Sequence, residues 1–526
     1  MTSTHSDTDL VVIGSGFGGS IISMIARRLG YRVMLLERGK HPRFAIGESA
    51  SPLAGILIEQ LADRYDLPRV RPLSAFGTWQ RTYPHVVCGL KRGFTYFKHQ
   101  TGLRYKADEE RTNQLLVAAS PNDELSDTHW LRSDVDQFLV NEAIALGVEY
   151  HDLVELDGIE WQPAGDPLLT GARQGQSVRI RAQFIVDASG PRGFLSKALG
   201  IADRGFDGYP PTQALFSHFT DVPRCDELED FRASNPESRV PYPSDDAALH
   251  HVFDGGWMWV LRFGNGVTSA GVAVEDWLAD ELKLGEGEPA WQRLLARYPS
   301  IATQFASARP IRSFTWMPRM AYRAADCAGE RWAMLPSAAA FIDPLFSTGI
   351  PLTLLGIERL ASAFSQAGLK ARFCGSGGSS DPPSYSDATL ADTDRTARFI
   401  AGSYAGFREF PMFASYSMFY FAAASFSEMA RRLDSPRTPR GFLCGDSDGF
   451  TSAMTRLSPA AIHAAHDRYD SEVGAAIADW NVAGLCDPDK RNWYGVDLDD
   501  TIRGAEKLGL TRKQVRERLG PVACSL

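Results

Sequence analysis

The 526-residue sequence has few cysteines and no excess of basic side chains. Its seven cysteines are scattered, odd in number, and form neither a CxxC pair nor a spacing typical of metal ligands. We therefore expect free thiols in a reducing cytoplasm and no structural zinc or other metal. The formal net charge of -9 at pH 7 argues against a nucleic-acid partner, because such partners attract basic surfaces.

Long apolar runs and internal repeats are also missing. No uninterrupted apolar segment is long enough to span a bilayer, so we expect no membrane association. The first nine residues, MTSTHSDTD, contain no apolar core and predict no signal peptide. The apolar share of 44% and the charged share of 23% are ordinary for a globular protein. The length exceeds what one hydrophobic core serves, which predicts an enzyme of more than one domain.

The strongest local pattern opens the chain. The segment DLVVIGSGFGGSIISMIARRLGYRVMLLERG predicts a buried strand at residues 10–13, a glycine turn, a helix and a second strand at residues 33–36 that leads into Glu37. Glycines 14, 16 and 19 allow a tight turn, close approach to a pyrophosphate and close helix packing. Because strand, helix, strand and acid stand in order, we interpret the segment as a dinucleotide site rather than a glycine-rich turn.

Four later segments bear on which dinucleotide binds. HPRFAIGESASP (41–52) follows the acidic strand end, and Arg132 begins a predicted helix. FIVDASGPRG (184–193) is a buried strand followed by a small-residue turn. Further on, a strand precedes a loop with Asp343 and a helix that begins near Gly349. Each segment alone is common strand and turn chemistry, whereas their order is distinctive.

Taken together, these segments resemble the FAD-dependent group that contains aromatic hydroxylases and flavin-dependent halogenases. The pattern PRxxxGESxxP is similar to the halogenase side of that group, and is filled here by Pro42, Arg43, Gly47, Glu48, Ser49 and Pro52. The loop DPLFSTG (343–349) is similar to the halogenase segment that lies against the isoalloxazine ring and binds halide. The resemblance covers roughly residues 8–365.

The resemblance implies an α/β fold. It consists of a Rossmann-like FAD-binding domain of the aromatic hydroxylase or glutathione reductase-2 type, an antiparallel substrate-binding sheet and a C-terminal helical region. The implied FAD-binding residues are Gly14, Ser15, Gly16, Phe17, Gly18, Gly19, Glu37, Arg38, Ile46, Glu48, Ser49, Arg132, Ala188, Gly190, Asp343, Gly349 and Ile350. The implied halide-binding residues are Ser347, Thr348 and Gly349.

Two positions depart from the halogenase pattern. The family's WxWxIP signature is WMWVLR here, which keeps Trp257 and Trp259 but has Arg262 in place of proline. Both tryptophans are also plausible core residues. Tryptophan halogenases have a glutamate just before the Ser-Thr-Gly of the ring-facing loop, and this chain has Phe346 there. A substrate activated by its own hydroxyl groups needs less help of that kind.

Lys91, in the segment GLKRGFTYFKH (89–99), has two interpretations. A lysine at a strand end is commonly a solvated edge charge that blunts pairing. The resemblance instead makes Lys91 the catalytic lysine, which hydrogen-bonds hypochlorous acid or carries the chlorine as a chloramine, helped by partial desolvation. If the segment is one strand, Lys91 shares a face with Gly93 and Thr95, and lies opposite Phe94 and Lys98.

The anchors also predict the domain organisation. We expect a discontinuous FAD-binding domain from residues 1–75, 115–200 and 300–370, and a substrate-domain sheet from 76–114 and 201–299. Residues 371–526 are expected to form a linker, rich in Gly, Ser and Pro at 373–387, and a mainly helical region. The aromatic segment from 398 to 433 predicts a helix on the core. The proposed substrate-pocket residues are Phe94, Phe346, Tyr404 and Phe407.

Three classes of function remain open at this point. The favoured one is a halogenase that takes reduced FAD from a separate flavin reductase and uses oxygen with chloride or bromide to halogenate an electron-rich aromatic, expected to be a phenol. A carrier-bound pyrrole or phenol is an alternative substrate. An FAD-dependent aromatic hydroxylase of the same fold is the second class, and a flavin-binding protein without chemistry the third. A monomer or a homodimer fits the sequence equally.

Overall fold

A computed structural model describes residues 4–161, 165–232, 240–370, 373–374, 383–462 and 468–523. Residues 375–382 of the linker predicted at 373–387 lie outside the described residues, whereas its last three residues, 385–387, belong to a helix instead. The strands are β1 Thr4–Ile13, β2 Val33–Leu36, β3 Cys88–Lys91, β4 Gly93–Lys98, β5 Gln114–Ala118, β6 Asp127–Trp130, β7 Glu149–His151, β8 Val154–Glu160, β9 Leu168–Arg173, β10 Gln176–Asp187, β11 Thr212–Thr220, β12 Ala248–Phe253, β13 Gly256–Arg262, β14 Thr268–Glu275, β15 Arg309–Pro310, β16 Thr315–Met317, β17 Tyr322–Arg323, β18 Ala328–Gly329, β19 Trp332–Met334, β20 Ala340–Phe341 and β21 Trp493–Tyr494. The helices are α1 Phe17–Arg28, α2 Pro52–Arg64, α3 Phe76–Thr82, α4 Arg132–Ala145, α5 Phe194–Ala198, α6 Asp276–Leu282, α7 Glu288–Arg297, α8 Pro299–Gln304, α9 Pro336–Ala339, α10 Gly349–Ala367, α11 Tyr385–Gly406, α12 Phe410–Arg432, α13 Asp448–Arg456, α14 Pro459–Ile462, α15 Tyr469–Ile477, α16 Leu498–Arg503 and α17 Arg512–Ala523.

The first sheet is built on parallel strands in the order β19, β10, β1, β2 and β7, with β18 antiparallel at one edge and the β8–β9 hairpin attached through β10. Its central strands read as continuous apolar runs because both faces are covered. Strand β2 is buried along its whole length. The predicted first strand, glycine turn, helix and second strand are confirmed as β1, α1 and β2.

The second sheet runs in the order β15, β11, β14, β13, β12, β4, β5 and β21, with β16 also paired to β11. Most neighbours are antiparallel, as expected, but β4 pairs β12 and β5 pairs β21 in parallel. Alternation along β13 divides its side chains. Trp257 and Trp259 face the core shared with the first sheet, whereas Met258 and Val260 face a separate core under α6–α8.

The second sheet extends beyond the boundaries that the sequence predicted for it. Strands β15 and β16 come from the stretch assigned to the FAD-binding domain, β5 ends within that stretch, and β21 comes from the C-terminal region. The limits of the FAD-binding and substrate domains stay a prediction. The C-terminal helices α11 and α12 pack against α10 and α2, so this region shares the main core.

The prediction of one continuous strand over residues 89–99 is wrong. Strand β3 ends at Lys91 and pairs with β6, whereas β4 begins at Gly93 and belongs to the second sheet. Arg92 between them bonds through its backbone to Asp246 and Ala119. The break cancels the period-two argument, and Lys91 and Phe94 are in contact instead of on opposite faces.

Within the part of the chain that the structure describes, no helix is both long and apolar enough to cross a membrane.

Candidate functional site

A cavity of about 350 Å³ lies between the first sheet's glycine turn and the inner face of the second sheet. We call it the flavin cavity. Fourteen of the residues predicted from the sequence line it: Gly16, Phe17, Gly18, Ile46, Glu48, Ser49, Arg132, Ala188, Gly190, Asp343, Ser347, Thr348, Gly349 and Ile350. These residues come from five separate stretches of the chain, and the fold brings them to one space.

The glycine turn leaves its backbone open to this cavity. A side chain at Gly16 would point between two guanidinium groups, with its Cβ 3.3 Å from Arg132 Nη2 and 3.7 Å from Arg43 Nη2. Gly16 caps the N-terminus of α1, where backbone N–H groups and the helix dipole favour an anion. The arrangement has the open backbone, the cationic groups and the helix end that a pyrophosphate requires.

The arginines are held rigidly by carboxylates. Arg132 forms a two-pronged ion pair with Asp136 at 2.9 Å in each prong, and its Nη1 donates to the carbonyls of Ile46 and Gly47 at 2.8 and 3.1 Å. Asp136 also accepts from the N–H of Phe17 at 3.1 Å. This network ties α4 to the start of α1 and to the segment before Glu48.

Glu37 lies just outside the flavin cavity, at the end of β2. Its carboxylate accepts from the N–H and hydroxyl of Ser15 and from Arg43 and Gly39. Burial by itself would raise the pKa of Glu37, but the Arg43 guanidinium and the hydrogen bonds outweigh it and hold that pKa below its usual range. The fixed negative charge is suited to ribose hydroxyls. Arg38 is exposed and does not line the cavity.

Three further predicted residues do not line the cavity: Gly14, Ser15 and Gly19. The two glycines instead allow the turn and the helix packing beside it. Gly14 has a φ of +96°, which favours glycine. A Cβ on Gly19 would come 1.9 Å from the carbonyl oxygen of Gly14. Gly19 therefore allows α1 to pack against the turn.

At the far end of the cavity, Asp343 is buried and already has two donors. Its carboxyl accepts from the Leu345 N–H and from the Tyr404 hydroxyl, each at 2.8 Å. Burial raises the pKa of Asp343 to about 7, although the hydrogen bonds oppose the shift. Tyr404, predicted to line the substrate pocket, instead fixes this carboxyl and does not line the flavin cavity.

The loop before α10 has an unusual backbone. Phe346 and Ser347 have φ values of 62° and 57°, in the left-handed region that costs non-glycine residues about 1 kcal/mol or more each. The Phe346 ring is fully buried against aromatic rings of α11 and α12, and its carbonyl accepts from the Tyr420 hydroxyl at 2.6 Å. Packing by the C-terminal helices thus holds the loop, and Ser347, Thr348 and Gly349, at the start of α10, face the cavity.

Lys91 is fully buried, with 0% of its surface exposed, which excludes a solvated edge charge. Its Nζ donates to the Ala50 carbonyl at 2.5 Å and to Ser347 Oγ at 3.2 Å, and lies 4.0 Å from the centre of the Phe94 ring. Burial lowers the pKa of Lys91, and the nearby carboxyl of Asp127 acts in the opposite direction. The amine form is therefore more accessible than in an exposed lysine.

A second, smaller cavity of about 90 Å³ is lined in part by Phe94, whose ring lies beside Lys91 Nζ. We call it the aromatic cavity, because Phe94, Tyr420, Phe421 and Tyr494 line it. Lys91 itself lines neither cavity, but its Nζ contacts one lining residue of each, Ser347 of the flavin cavity and Phe94 of the aromatic cavity.

The predicted substrate-pocket residues are divided by the structure. Phe94 lines the aromatic cavity. Phe346 and Phe407 are fully buried in the ring cluster around Phe413 and line neither cavity. Lys98 is remote from Lys91, since its Nζ donates to the Phe407 carbonyl and pairs with Asp254 at 2.6 Å. Aromatic spacing alone did not separate core rings from cavity rings.

Sequence reasoning left several lining residues out of the site. Trp257 and Trp259, weighed as core residues, both line the flavin cavity, as do His250 and Arg43. The Glu48 carboxylate is hydrogen-bonded to His218 Nε2 at 2.7 Å. The paired tryptophans and Arg43 belong to motifs that the sequence showed, so they could have been assigned to the site. His250 and His218 belong to no such motif.

The residues present fit FAD. The open backbone at Gly16 beside Arg43 and Arg132 suits the pyrophosphate, Glu37 suits the ribose of the adenosine half, and the cavity continues to Trp257 and the Ser347 loop, where a flat ring system would lie. Within the described residues, no group of histidine, cysteine and acidic side chains could hold a metal ion.

Comparison with known proteins agrees with this interpretation. Residues 120–374 match the family model described as tryptophan halogenase. The tetracycline 7-halogenase of Kitasatospora aureofaciens is 32% identical over 369 residues, and the monodechloroaminopyrrolnitrin halogenase PrnC of Pseudomonas fluorescens 28% over 365; each alignment covers 68% of this chain. They span 63% and 62% of those relatives, so the chain matches less than two thirds of their length.

The crystal structure of halogenase PltM in complex with phloroglucinol and FAD superposes with a TM-score of 0.78 and 24% identity, covering 92% of this chain and 99% of that one. At this identity the likeness concerns the fold, which is that of the FAD-binding halogenases. The motifs, the fold and the matched relatives together show that the chain belongs to the flavin-dependent halogenase family.

Proposed function

We propose that this protein is a halogenase that uses reduced FAD, oxygen and chloride or bromide to halogenate an electron-rich aromatic compound, with a phenol as the expected substrate. The observation that carries the proposal is the position of Lys91. Its fully buried side-chain nitrogen contacts Ser347, which lines the flavin cavity, and Phe94, which lines the aromatic cavity.

The cofactor is proposed to lie in the flavin cavity, with Gly16, Arg43 and Arg132 at the pyrophosphate and Glu37 at the ribose. Bound there in its reduced form, FAD supplies with oxygen and halide the hypohalous acid that halogenates. Thr348 and Gly349 are proposed to hold the halide, because the start of the 19-residue helix α10 offers oriented N–H groups.

Lys91 is proposed to receive the hypohalous acid. Its Nζ can donate a hydrogen bond to the oxidant or, as the free amine, present a nucleophilic nitrogen. Its full burial keeps bulk water from the small oxidant. A ring held in the aromatic cavity would then meet the halogen in a fixed orientation, and such positioning accounts for much of an enzyme's rate advantage.

The substrate is proposed to occupy the aromatic cavity. This cavity is bounded by α12 and by the segment around Tyr494, and it has Phe94 beside Lys91. Aromatic side chains favour offset or edge-on contacts with another ring. A separate flavin reductase is the proposed source of reduced FAD.

The test combines purified protein with a flavin reductase, NADH, FAD, bromide or chloride and a panel of phenols, with products read as halogen isotope patterns by mass spectrometry. We expect halogenated phenols with the wild type and none above background with Lys91→Met, which keeps the side-chain volume in this buried position. Lys98→Met serves as the control for loss of a cation. Oxygenated products without halide dependence would indicate a hydroxylase instead.

A matched pair of substrates separates free from carrier-bound chemistry. We expect a free phenol to be halogenated at least as readily as a pyrrole or phenol attached to a carrier protein. Product from the carrier-bound form alone would replace the proposed substrate class while leaving the halogenase assignment intact.

A further inference from the structure

Asp127 is a buried carboxyl group on the strand paired with that of Lys91, and the proposed mechanism does not use it. It lies on β6, directly opposite Lys91 of β3 in the antiparallel register. Directly opposed residues of an antiparallel pair have side chains on the same face. Only 7% of Asp127 is exposed, and its Oδ2 has no hydrogen-bond partner within the described residues.

A buried carboxylate with an unsatisfied oxygen is costly unless a positive charge faces it. Lys91 is the cation across the strand pair. Arg432 of α12 also faces Asp127, but it is already engaged with Glu428 at 3.0 Å and Glu59 at 3.8 Å. Glu428, on the same helix, adds negative charge and opposes ionisation of Asp127.

The other titratable groups around Lys91 are neutral or occupied. His129 of β6 and His250 of β12 are buried, and burial lowers the pKa of each to about 3, so both are uncharged near neutral pH. Tyr420 of α12 donates its hydroxyl to Phe346. Apart from burial itself, Asp127 is therefore the charged group that acts on the pKa of Lys91.

We propose that Asp127 is a positioning residue that sets the protonation state of Lys91: its carboxylate keeps the buried Nζ as an ammonium group, and loss of that charge releases the proton and leaves the free amine. The bond that breaks is N–H at Lys91 Nζ, the proton leaves to solvent, and no electrons are transferred. The role in halogenation rests on the proposed function, whereas the effect on Lys91 does not.

Burial moves the pKa values of the two groups toward each other. It raises the pKa of Asp127 and lowers that of Lys91, so the charge on each group depends on the charge of the other. In the structure, Lys91 Nζ is turned to Ala50 and Ser347. The influence of Asp127 is thus electrostatic and does not come from a direct hydrogen bond to Nζ.

The test is a titration of Lys91 in the full-length protein, with lysine labelled with ¹³C at the ε-carbon and the Lys91 signal identified by its loss in Lys91→Met. We expect Asp127→Asn, which keeps the shape, to lower the midpoint of Lys91 by about one pH unit or more. Asp254→Asn removes the partner of Lys98 and is the matched control, which should leave the Lys91 midpoint in place. An unchanged midpoint in Asp127→Asn would overturn the proposal.

A reciprocal measurement covers the case in which Asp127→Asn does not fold. In Lys91→Met, the carboxyl carbon of Asp127 should titrate at higher pH than in the wild type, and an unchanged midpoint would again overturn the proposal. Where the wild type halogenates, the pH profile of Asp127→Asn should move in the same direction as the Lys91 midpoint. A shifted midpoint in a protein that never halogenates would refute the proposed function and leave the Asp127–Lys91 coupling standing.

Discussion

Two glycines of the same motif, Gly16 and Gly19, should respond oppositely to one added methyl group. A Cβ on Gly16 meets nothing closer than Arg132 Nη2 at 3.3 Å, and a shift of a few tenths of an ångström at the end of that side chain accommodates it. We therefore expect Gly16→Ala to change the free energy of unfolding by no more than about 1 kcal/mol. The methyl would stand between the two guanidinium groups where the pyrophosphate of FAD is proposed to bind, so FAD affinity should fall about 100-fold, or about 2.8 kcal/mol.

Gly19→Ala should do the reverse. Its Cβ would come 1.9 Å from the Gly14 carbonyl oxygen and 3.2 Å from Ala188 Cβ. The carbonyl belongs to a tight turn, so α1 must move away from the sheet. We expect the free energy of unfolding to fall by about 3 kcal/mol or more, as for other forced contacts in a packed core.

The assay measures both variants in the same two ways. Urea denaturation without FAD gives the free energy of unfolding, and quenching of FAD fluorescence on titration gives the affinity. Wild-type FAD affinity in Gly16→Ala would refute the placement of the pyrophosphate. Wild-type stability in Gly19→Ala would refute the close packing of α1 on the turn.

Three further expectations follow from the site. Tyr420→Phe removes the donor to the Phe346 carbonyl and should cost about 1–3 kcal/mol of stability and reduce halogenation. Tyr416, on the same helix as Tyr420, donates to the Met454 carbonyl, so Tyr416→Phe should cost stability alone. Equal halogenation by both variants would refute a role for the loop. Burial raises the pKa of Asp343 to about 7, so the stabilising contribution of this carboxyl is lost as pH rises. In denaturation experiments the free energy of unfolding of the wild type should fall by roughly 3 kcal/mol relative to Asp343→Asn between pH 4.5 and 7.5. A pH-independent difference between the two proteins would contradict this. Crystals with FAD soaked in bromide should show anomalous density beside Thr348 and Gly349, and its absence at saturating bromide would count against the halide site.

The nucleotide half of the molecule was the part most open to prediction. Strand β1, the glycine turn, α1, β2 and Glu37 are consecutive, and their roles depend on local rules: apolar runs, glycine conformation and helix-end chemistry. The helix starts at Arg132 and Gly349 were predicted for the same reason. Short-range patterns carry this information because each element is specified by its own residues.

The surroundings of Lys91 could not be obtained in this way. The strand pattern of residues 89–99 is continuous in sequence, and the break at Arg92 arises from backbone bonds to Asp246 and Ala119, which are distant along the chain. Similarly, the aromatic spacing of α11 and α12 fits both a core and a pocket. Only the packing of these helices on the Phe346 loop placed Phe407 in the core.

The sequence by itself therefore determined the nucleotide-binding half, the family resemblance and the identity of the lysine to examine, because these depend on residues close together in the chain. The tertiary structure decided that Lys91 is fully buried, that its Nζ contacts a lining residue of each cavity and that Asp127 stands across from it. Burial and electrostatic coupling depend on which distant segments share a space, and side-chain periodicity contains no record of that.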